Sequence, residues 1–203
     1  MRISVILGHP DKNSFNHAIA GAVRRTLLEN GHEVISHDLY QEKFPPLLSA
    51  QEVFRDAPLK PLVREHCAEI SIADGIIVIH PNWWGQPPAI LKGWIDRVLR
   101  PGVAYEFTDG DSGEGIPLGL LKAKTALIFT TSNTPREREK TVFGDPIETL
   151  WKKCIFGLCG VKDCYRKNFA VVVTSSLEQR RQWLEEAKAL TNKYFPEDFI
   201  PEE

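Results

Sequence analysis

Apolar positions along the chain fall into two alternating patterns. Ile3 to Leu7, Gly75 to Ile79 and Thr125 to Thr131 are short, nearly continuous runs rich in branched residues, as in strands buried on both faces. Glu33 to Ile35 and Phe169 to Thr174 read as two further strands. Between them the apolar residues return at helical spacing. Ile19, Val23, Leu27 and Leu28 follow Phe15 and stop at Asn30-Gly31, a helix end. Val63 to Ile72, Ile90 to Leu99, Ile147 to Leu158 and Leu177 to Phe195 repeat the pattern. Strands that alternate with helices pair in parallel through right-handed crossovers. The expected fold class is therefore α/β, a doubly wound five-stranded parallel sheet with helices on both faces. Residues 38–61 are proline-rich and expected to wrap the surface, and 101–119 to form a hairpin excursion around Asp109-Gly110.

Such a sheet places ligands beyond the carboxyl ends of its strands, where the strand order reverses. Three unusual loops follow strands and should converge there: 8–16, 80–88 and 132–145. In the first, His9, Asn13, Ser14 and Asn16 gather donors ahead of a helix, whose unpaired amides and dipole favour an anion such as a phosphate. Lys12 adds a nearby charge. Ser14 alone would be read as a helix cap. Neither Gly-x-Gly-x-x-Gly nor a phosphate-loop lysine motif follows this strand, which disfavours an NTPase or an ordinary dinucleotide-binding domain.

The second loop sets Trp83 and Trp84 among Pro81, Gly85, Pro87 and Pro88. Prolines stiffen it and Gly85 allows close backbone approach, so it suits a flat ring. Trp83 reads as core as readily as contact. The third loop, Thr131-Ser132-Asn133-Thr134-Pro135, offers hydroxyl and amide groups. The run Arg136 to Lys140 after it reads as a solvated charged face. His37 and His80 read as hydrogen-bonded structural histidines, since neither has an evident nucleophile or acid partner in the sequence.

Composition removes other classes. The 203 residues are 42% hydrophobic with a formal net charge of -2, without the basic excess of a nucleic-acid or anionic-membrane binder. No stretch has the roughly 20 apolar residues that span a bilayer, so no membrane insertion is expected, and the chain reads as one cytoplasmic domain over 1–203. Cys67, Cys154, Cys159 and Cys164 suit reduced thiols. The spacing Cys154-x4-Cys159-x4-Cys164 is looser than zinc pairs, and Trp151, Ile155, Phe156 and Leu158 around it suggest a buried helix face, so no metal is expected.

The loops resemble those of the flavodoxin-like NAD(P)H:quinone oxidoreductases of the DT-diaphorase and modulator-of-drug-activity types. His9-x4-Ser14-Phe15-Asn16 is similar to the family's flavin-phosphate motif. Pro81-x-x-Trp84-x-x-x-Pro88-Ala89-Ile90-Leu91-Lys92-Gly93-Trp94 is similar to its isoalloxazine-loop signature. The resemblance covers nearly the whole chain, weakening over 38–61 and after Thr134. It implies FAD or FMN as cofactor, NAD(P)H as donor, a quinone-like, azo or nitro aromatic acceptor, and a homodimer. Donor and acceptor would use one pocket in turn.

By position, the resemblance places His9, Asn13, Ser14, Phe15 and Asn16 at the flavin phosphates or ribityl chain. Pro81, Asn82, Trp83, Trp84 and Gly85 would frame the ring. Thr131, Ser132 and Asn133 stand where the family has a Thr-Gly-Gly turn, and Arg181 falls near a position that touches the adenosine end in FAD-binding members. One departure stands out: alignment through Gly144-Asp145 puts Phe143 where DT-diaphorase-type members carry a histidine. No tyrosine lies between Thr134 and Gly144 either. Protein help for charge on the reduced flavin must then differ, and no catalytic residue is named. Two other readings compete: a flavin-binding electron carrier, and an interaction protein such as a transporter ancillary subunit.

Overall fold

In the computed structural model, which describes residues 1–108 and 113–197, the elements alternate as expected. β1 (Arg2–Leu7), α1 (Phe15–Glu29), β2 (Glu33–Asp38), α2 (Pro61–Ile72), β3 (Gly75–Pro81) and α3 (Ala89–Val98) form the first part. After a short antiparallel pair, β4 (Tyr105–Glu106) with β5 (Leu118–Gly119), come β6 (Thr125–Ser132), α4 (Arg136–Thr141), α5 (Pro146–Thr149), β7 (Asp163–Ala170) and α6 (Leu177–Tyr194). The expected hairpin excursion is present in β4 and β5, and Asp109-Gly110, around which it was expected to turn, lies outside the described residues.

β1, β2, β3, β6 and β7 make one five-stranded parallel sheet in the order β2-β1-β3-β6-β7. The order reverses at β1, so the crevice between the carboxyl ends of β1 and β3 is the switch point. Every residue of β3 is buried, because helices cover both faces of the central strand. One face packs Ile6, Ile76, Val78 and Ile128 against α2 and α3, and the other packs Ile3, Val5, Ile77 and Phe129 against α1 and α6.

Three boundaries differ from the sequence pattern. The fifth strand is Asp163–Ala170, not Phe169–Thr174. It is an edge strand with only Phe169 buried, so its outward positions are polar and it shows no apolar run. The Val171-Val172-Val173 run that suggested a strand lies past its end. β2 runs three residues further than expected, to Asp38, for the same edge-strand reason. The helix expected over 147–158 is one α turn, Pro146–Thr149, followed by a π-helical stretch, Leu150–Ile155.

Residues 38–61 do wrap the surface, with one 3₁₀ turn at Ala50–Val53. They are clamped to α3 at two places. Arg97, almost fully buried, pairs with Glu52 and donates to the Pro45 carbonyl. Gly93 lies so close to Pro46 that a Cβ would stand 2.2 Å from the Pro46 carbonyl oxygen, so no larger residue fits there.

Candidate functional site

The three loops meet at the switch point. Asn16, buried at the start of α1, donates from Nδ2 to Thr131 Oγ1 at 3.0 Å, tying the first loop to the third. The Asn82 amide donates to the Thr131 carbonyl at 2.7 Å, tying the second to the third. The rings of His9 and Trp83 stand 6.0 Å apart, closing the triangle between the first and second.

In the first loop, Ser14 accepts from the His17 amide and so caps α1, while its Oγ lies 3.0 Å from His17 Nδ1. The far nitrogen of His17 is 3.0 Å from Asp38 at the end of β2. The Asp11 amide donates to His9 Nδ1 at 3.1 Å. The Asp11 carbonyl lies 3.2 Å from the same nitrogen, so Nδ1 meets both a donor and an acceptor on one residue. Burial lowers the pKa of His9, which favours the neutral ring. The amides of Phe15 and Asn16 have no backbone acceptor among the described residues, leaving two donors at the positive end of α1. Asn13 is exposed, and Phe15 packs edge-on to Phe169 with its ring 5.8 Å from that of Trp183.

The second loop makes a tight turn closed by mutual hydrogen bonds between Trp83 and Gln86. Trp84 and Gly85 both have positive φ, +57° and +72°. For tryptophan this backbone is strained, and a strained residue marks a place to look for function. Asn82 pins the turn, accepting from the Gly85 amide at 3.0 Å and donating to Glu139 at 3.0 Å. Trp83 is not core: it is 43% exposed, and Trp84 is fully exposed. Both rings face outward because the turn reverses the chain before α3 can cover them.

In the third loop Ser132 donates to the Thr134 carbonyl and accepts from Asn168, and Asn133 accepts from the Val173 amide. These groups hold the end of β6 to the 171–173 segment. Arg181 is exposed on α6, and no hydrogen bond among the described residues joins it to the three loops. Pro81 is the buried last residue of β3.

Beyond Trp84, a cavity of about 490 Å³ is bounded by Gly85, Thr134, Arg138, Glu139, Phe143 and Pro146. A volume of this size falls within the ordinary range of small-molecule sites. The charged run of α4 is therefore not a plain solvated face. Glu139 is 3% exposed and braces Asn82, while the Arg138 guanidinium lies over the Phe143 ring, 5.5 Å from its centroid. So short a helix cannot reveal which of its five charged residues points inward, and no sequence pattern signals it. A second, more polar cavity of about 420 Å³ lies across the 139–146 stretch, where the Arg166 guanidinium pairs with Asp145 and Glu148.

His80 and His37 are structural, as expected, but the reason given for His37 needs correcting, since two carboxylates flank it: Glu42 Oε1 at 2.9 Å and Glu69 Oε2 at 2.8 Å. The cysteines are all free. Cys154 and Leu158 are exposed rather than part of a buried face; Trp151, Ile155 and Phe156 are buried.

Residues 1–193 match the family described as having a flavodoxin-like fold. An uncharacterized NAD(P)H oxidoreductase of Haemophilus influenzae is 34% identical over 168 residues, 78% of each chain. The NAD(P)H dehydrogenase [quinone] 1 of Rattus norvegicus is 30% identical, over 78% of this chain and 65% of its own length. Among solved structures, Smu.1420 of Streptococcus mutans superposes with a TM-score of 0.84 at 32% identity, covering 95% of this chain and 100% of that one. An NAD(P)H:quinone oxidoreductase of Methanothermobacter marburgensis gives 0.79 at 26% identity, covering 95% and 96%. The fold, the switch-point loops and these similarities agree, and the chain belongs to the flavodoxin-like family of NAD(P)H:quinone oxidoreductases.

Proposed function

We propose that this protein is a flavin-dependent oxidoreductase that passes two electrons from NAD(P)H to a quinone-like or azo or nitro aromatic acceptor. For a quinone the balance is NAD(P)H + H⁺ + quinone giving NAD(P)⁺ + hydroquinone. The observation that carries the reading is the convergence of the three loops at the switch point, with strained, exposed Trp84 facing the cavity.

The residues fit a flavin nucleotide, FMN or FAD. Uncapped amides at the start of α1, with the His9 ring in the same loop, suit a phosphate. Asn13 and Ser14 border that position, with Phe15 and buried Asn16 holding the helix start in place. The face of Trp84, with Trp83 beside it, suits a flat ring. Gly85 and the Asn82–Glu139 brace fix the turn that presents it, and Thr131, Ser132 and Asn133 keep the end of β6 close by. Arg181 is assigned the outer, adenosine end in an FAD complex.

A bound flavin would supply the two-electron chemistry, and the protein supplies stacking, orientation and polarity. Phe143 cannot exchange a proton where relatives of the DT-diaphorase type have a histidine. Protons for the reduced acceptor must then come from solvent through the open side of the cavity. Donor and acceptor using one pocket in turn predicts ping-pong kinetics.

We also read the chain as a single domain and the protein as a homodimer. Exposed Val53 and Phe54 adjoin the β4–β5 pair, held there by the Arg55–Glu106 ion pair, while exposed Leu118 lies in β5 and exposed Ile116 two residues ahead of it. Such an apolar patch suits a subunit contact. No helix among the described residues is long and apolar enough to cross a membrane. A cytoplasmic location is part of the proposal.

The test is the visible spectrum of protein reconstituted with FMN or FAD, desalted, and mixed anaerobically with NADH or NADPH. Retained flavin that bleaches within the dead time of manual mixing is expected. Retained flavin that stays yellow with both donors would favour a carrier or regulatory role, and loss of both flavins on desalting would overturn the reading.

A further inference from the structure

The cavity beside Trp84 has one wall built from two unlike parts. Phe143 is half exposed and offers an aromatic face. Arg138 lies over that ring and, among the described residues, its side chain forms no ion pair or hydrogen bond. A guanidinium carries five donors in a fixed planar fork suited to a carboxylate or similar oxyanion. The other charged side chain on the wall, Glu139, is buried and accepts from Asn82. The cation is therefore the charged group more open to an incoming molecule.

A neutral flat acceptor would use only the aromatic surfaces of this cavity. A ring that bears an oxyanion would use them together with the free guanidinium. We propose that Arg138 makes the cavity selective for aromatic acceptors carrying a carboxylate or sulfonate on the ring. This names the substrate class of the site proposed above and rests on that reading. Arg138 holds the substituent and takes no part in the electron transfer, so no bond to it is made or broken. The departure at Phe143 thus has a counterpart: where relatives place a titratable side chain, this chain has an aromatic shelf with a permanent positive charge above it.

The experiment compares 1,4-naphthoquinone with 1,4-naphthoquinone-2-sulfonate in two readouts. One is equilibrium binding by quenching of tryptophan emission, with and without flavin. The other is kcat/KM with saturating NAD(P)H. The sulfonate is expected to be preferred about tenfold, the size of one charge-assisted contact. R138Q should abolish that preference, R138K retain part of it and R138E reverse it. R136Q, on the same turn but outside this cavity, should leave the ratio unchanged.

An unchanged ratio in R138Q would overturn the proposal. So would a selective slowing of anaerobic reduction by NAD(P)H in the Arg138 variants with the acceptor ratio intact, which would assign the cation to the donor. If the wild-type protein fails to retain flavin, the oxidoreductase reading falls. The quenching ratio then still decides whether Arg138 selects aromatic anions.

Discussion

Two buried tryptophan–histidine pairs lie on the same side of the sheet, and they end differently. Trp151 donates from Nε1 to His80 Nε2 at 2.9 Å, and Trp94 donates from Nε1 to His66 Nδ1 at 2.9 Å. His80 passes its remaining N–H to the Pro81 carbonyl at 2.8 Å, so that chain closes on a neutral backbone group. His66 turns its remaining nitrogen toward Glu42 Oε2, 3.3 Å away. Glu42 also holds His37, which is held in turn by Glu69.

The end group decides where charge is stored. Burial pushes the pKa of His80 down to about 4, with Arg166 adding to the effect, and the ring stays neutral. Burial also opposes charge on His37, but Glu42 and Glu69 outweigh it and raise its pKa. Burial works against the charge on Glu42 as well, yet the hydrogen bond from His37 and the His66 ring 3.3 Å away bring its pKa down to about 2. The same indole donor excludes a metal reading of the second cluster. His37, Glu42 and His66 are close enough to share an ion. Trp94 can only donate, so His66 Nδ1 accepts, Nε2 keeps its proton, and no lone pair faces Glu42.

Breaking the charged chain should cost more than breaking the neutral one. Glu42→Ala takes away the carboxylate 3.3 Å from buried His66 Nε2 and leaves His37 with one carboxylate instead of two, and should lower unfolding free energy by about 3 kcal/mol in urea titrations. Glu42→Gln should recover part of that, because its carbonyl can still accept. Recovery by leucine as well as by glutamine would show that packing, not the hydrogen bonds, sets the cost.

The two histidines should tilt the pH profile of stability in opposite directions. His80 has a folded pKa below its ordinary 6.5, so the unfolded chain binds the extra proton, and stability falls as pH drops from about 6.5 toward 4. By pH 5 this should amount to about 2 kcal/mol, absent in His80→Gln, whose carbonyl can still accept from Trp151. His37 has a raised folded pKa. Its contribution is complete below 6.5 and fades as pH rises through the folded value. That loss should be smaller than the His80 effect and absent in His37→Asn. Chemical denaturation at a series of pH values measures both. Glu42 contributes above its ordinary 4.5 and is lost as pH falls toward 2, a third slope that His37→Asn should weaken by coupling.

At the functional cavity the smallest effect on stability is expected. Asn82→Ala removes the link between Glu139 and the Gly85 amide but leaves the Trp83–Gln86 closure in place. Flavin affinity should weaken about tenfold with little change in unfolding midpoint, measured by fluorescence titration. An equal loss of stability would mean that the brace supports the fold rather than the turn.

The alternation of buried strands with amphipathic helices, the parallel sheet and the convergence of three strand-end loops could all be read from sequence. Those features depend on hydrophobic periodicity and on the handedness of crossovers, which are local or general. The motifs around Ser14 and Trp84 were legible for the same reason, since each lies within one loop. The edge strands were not, because β7 and β2 are half solvated and show no continuous apolar run. Tertiary packing alone decided that Glu139 turns inward while Arg138 covers Phe143, that Trp83 is outside the core, and that His80 and His37 hold their protons differently. Burial and partner choice in those cases come from residues 57 positions away for Asn82 and Glu139, 71 for His80 and Trp151, and 32 for His37 and Glu69. Local pattern carries no record of such partners, and in a low-dielectric interior the partner sets the charge.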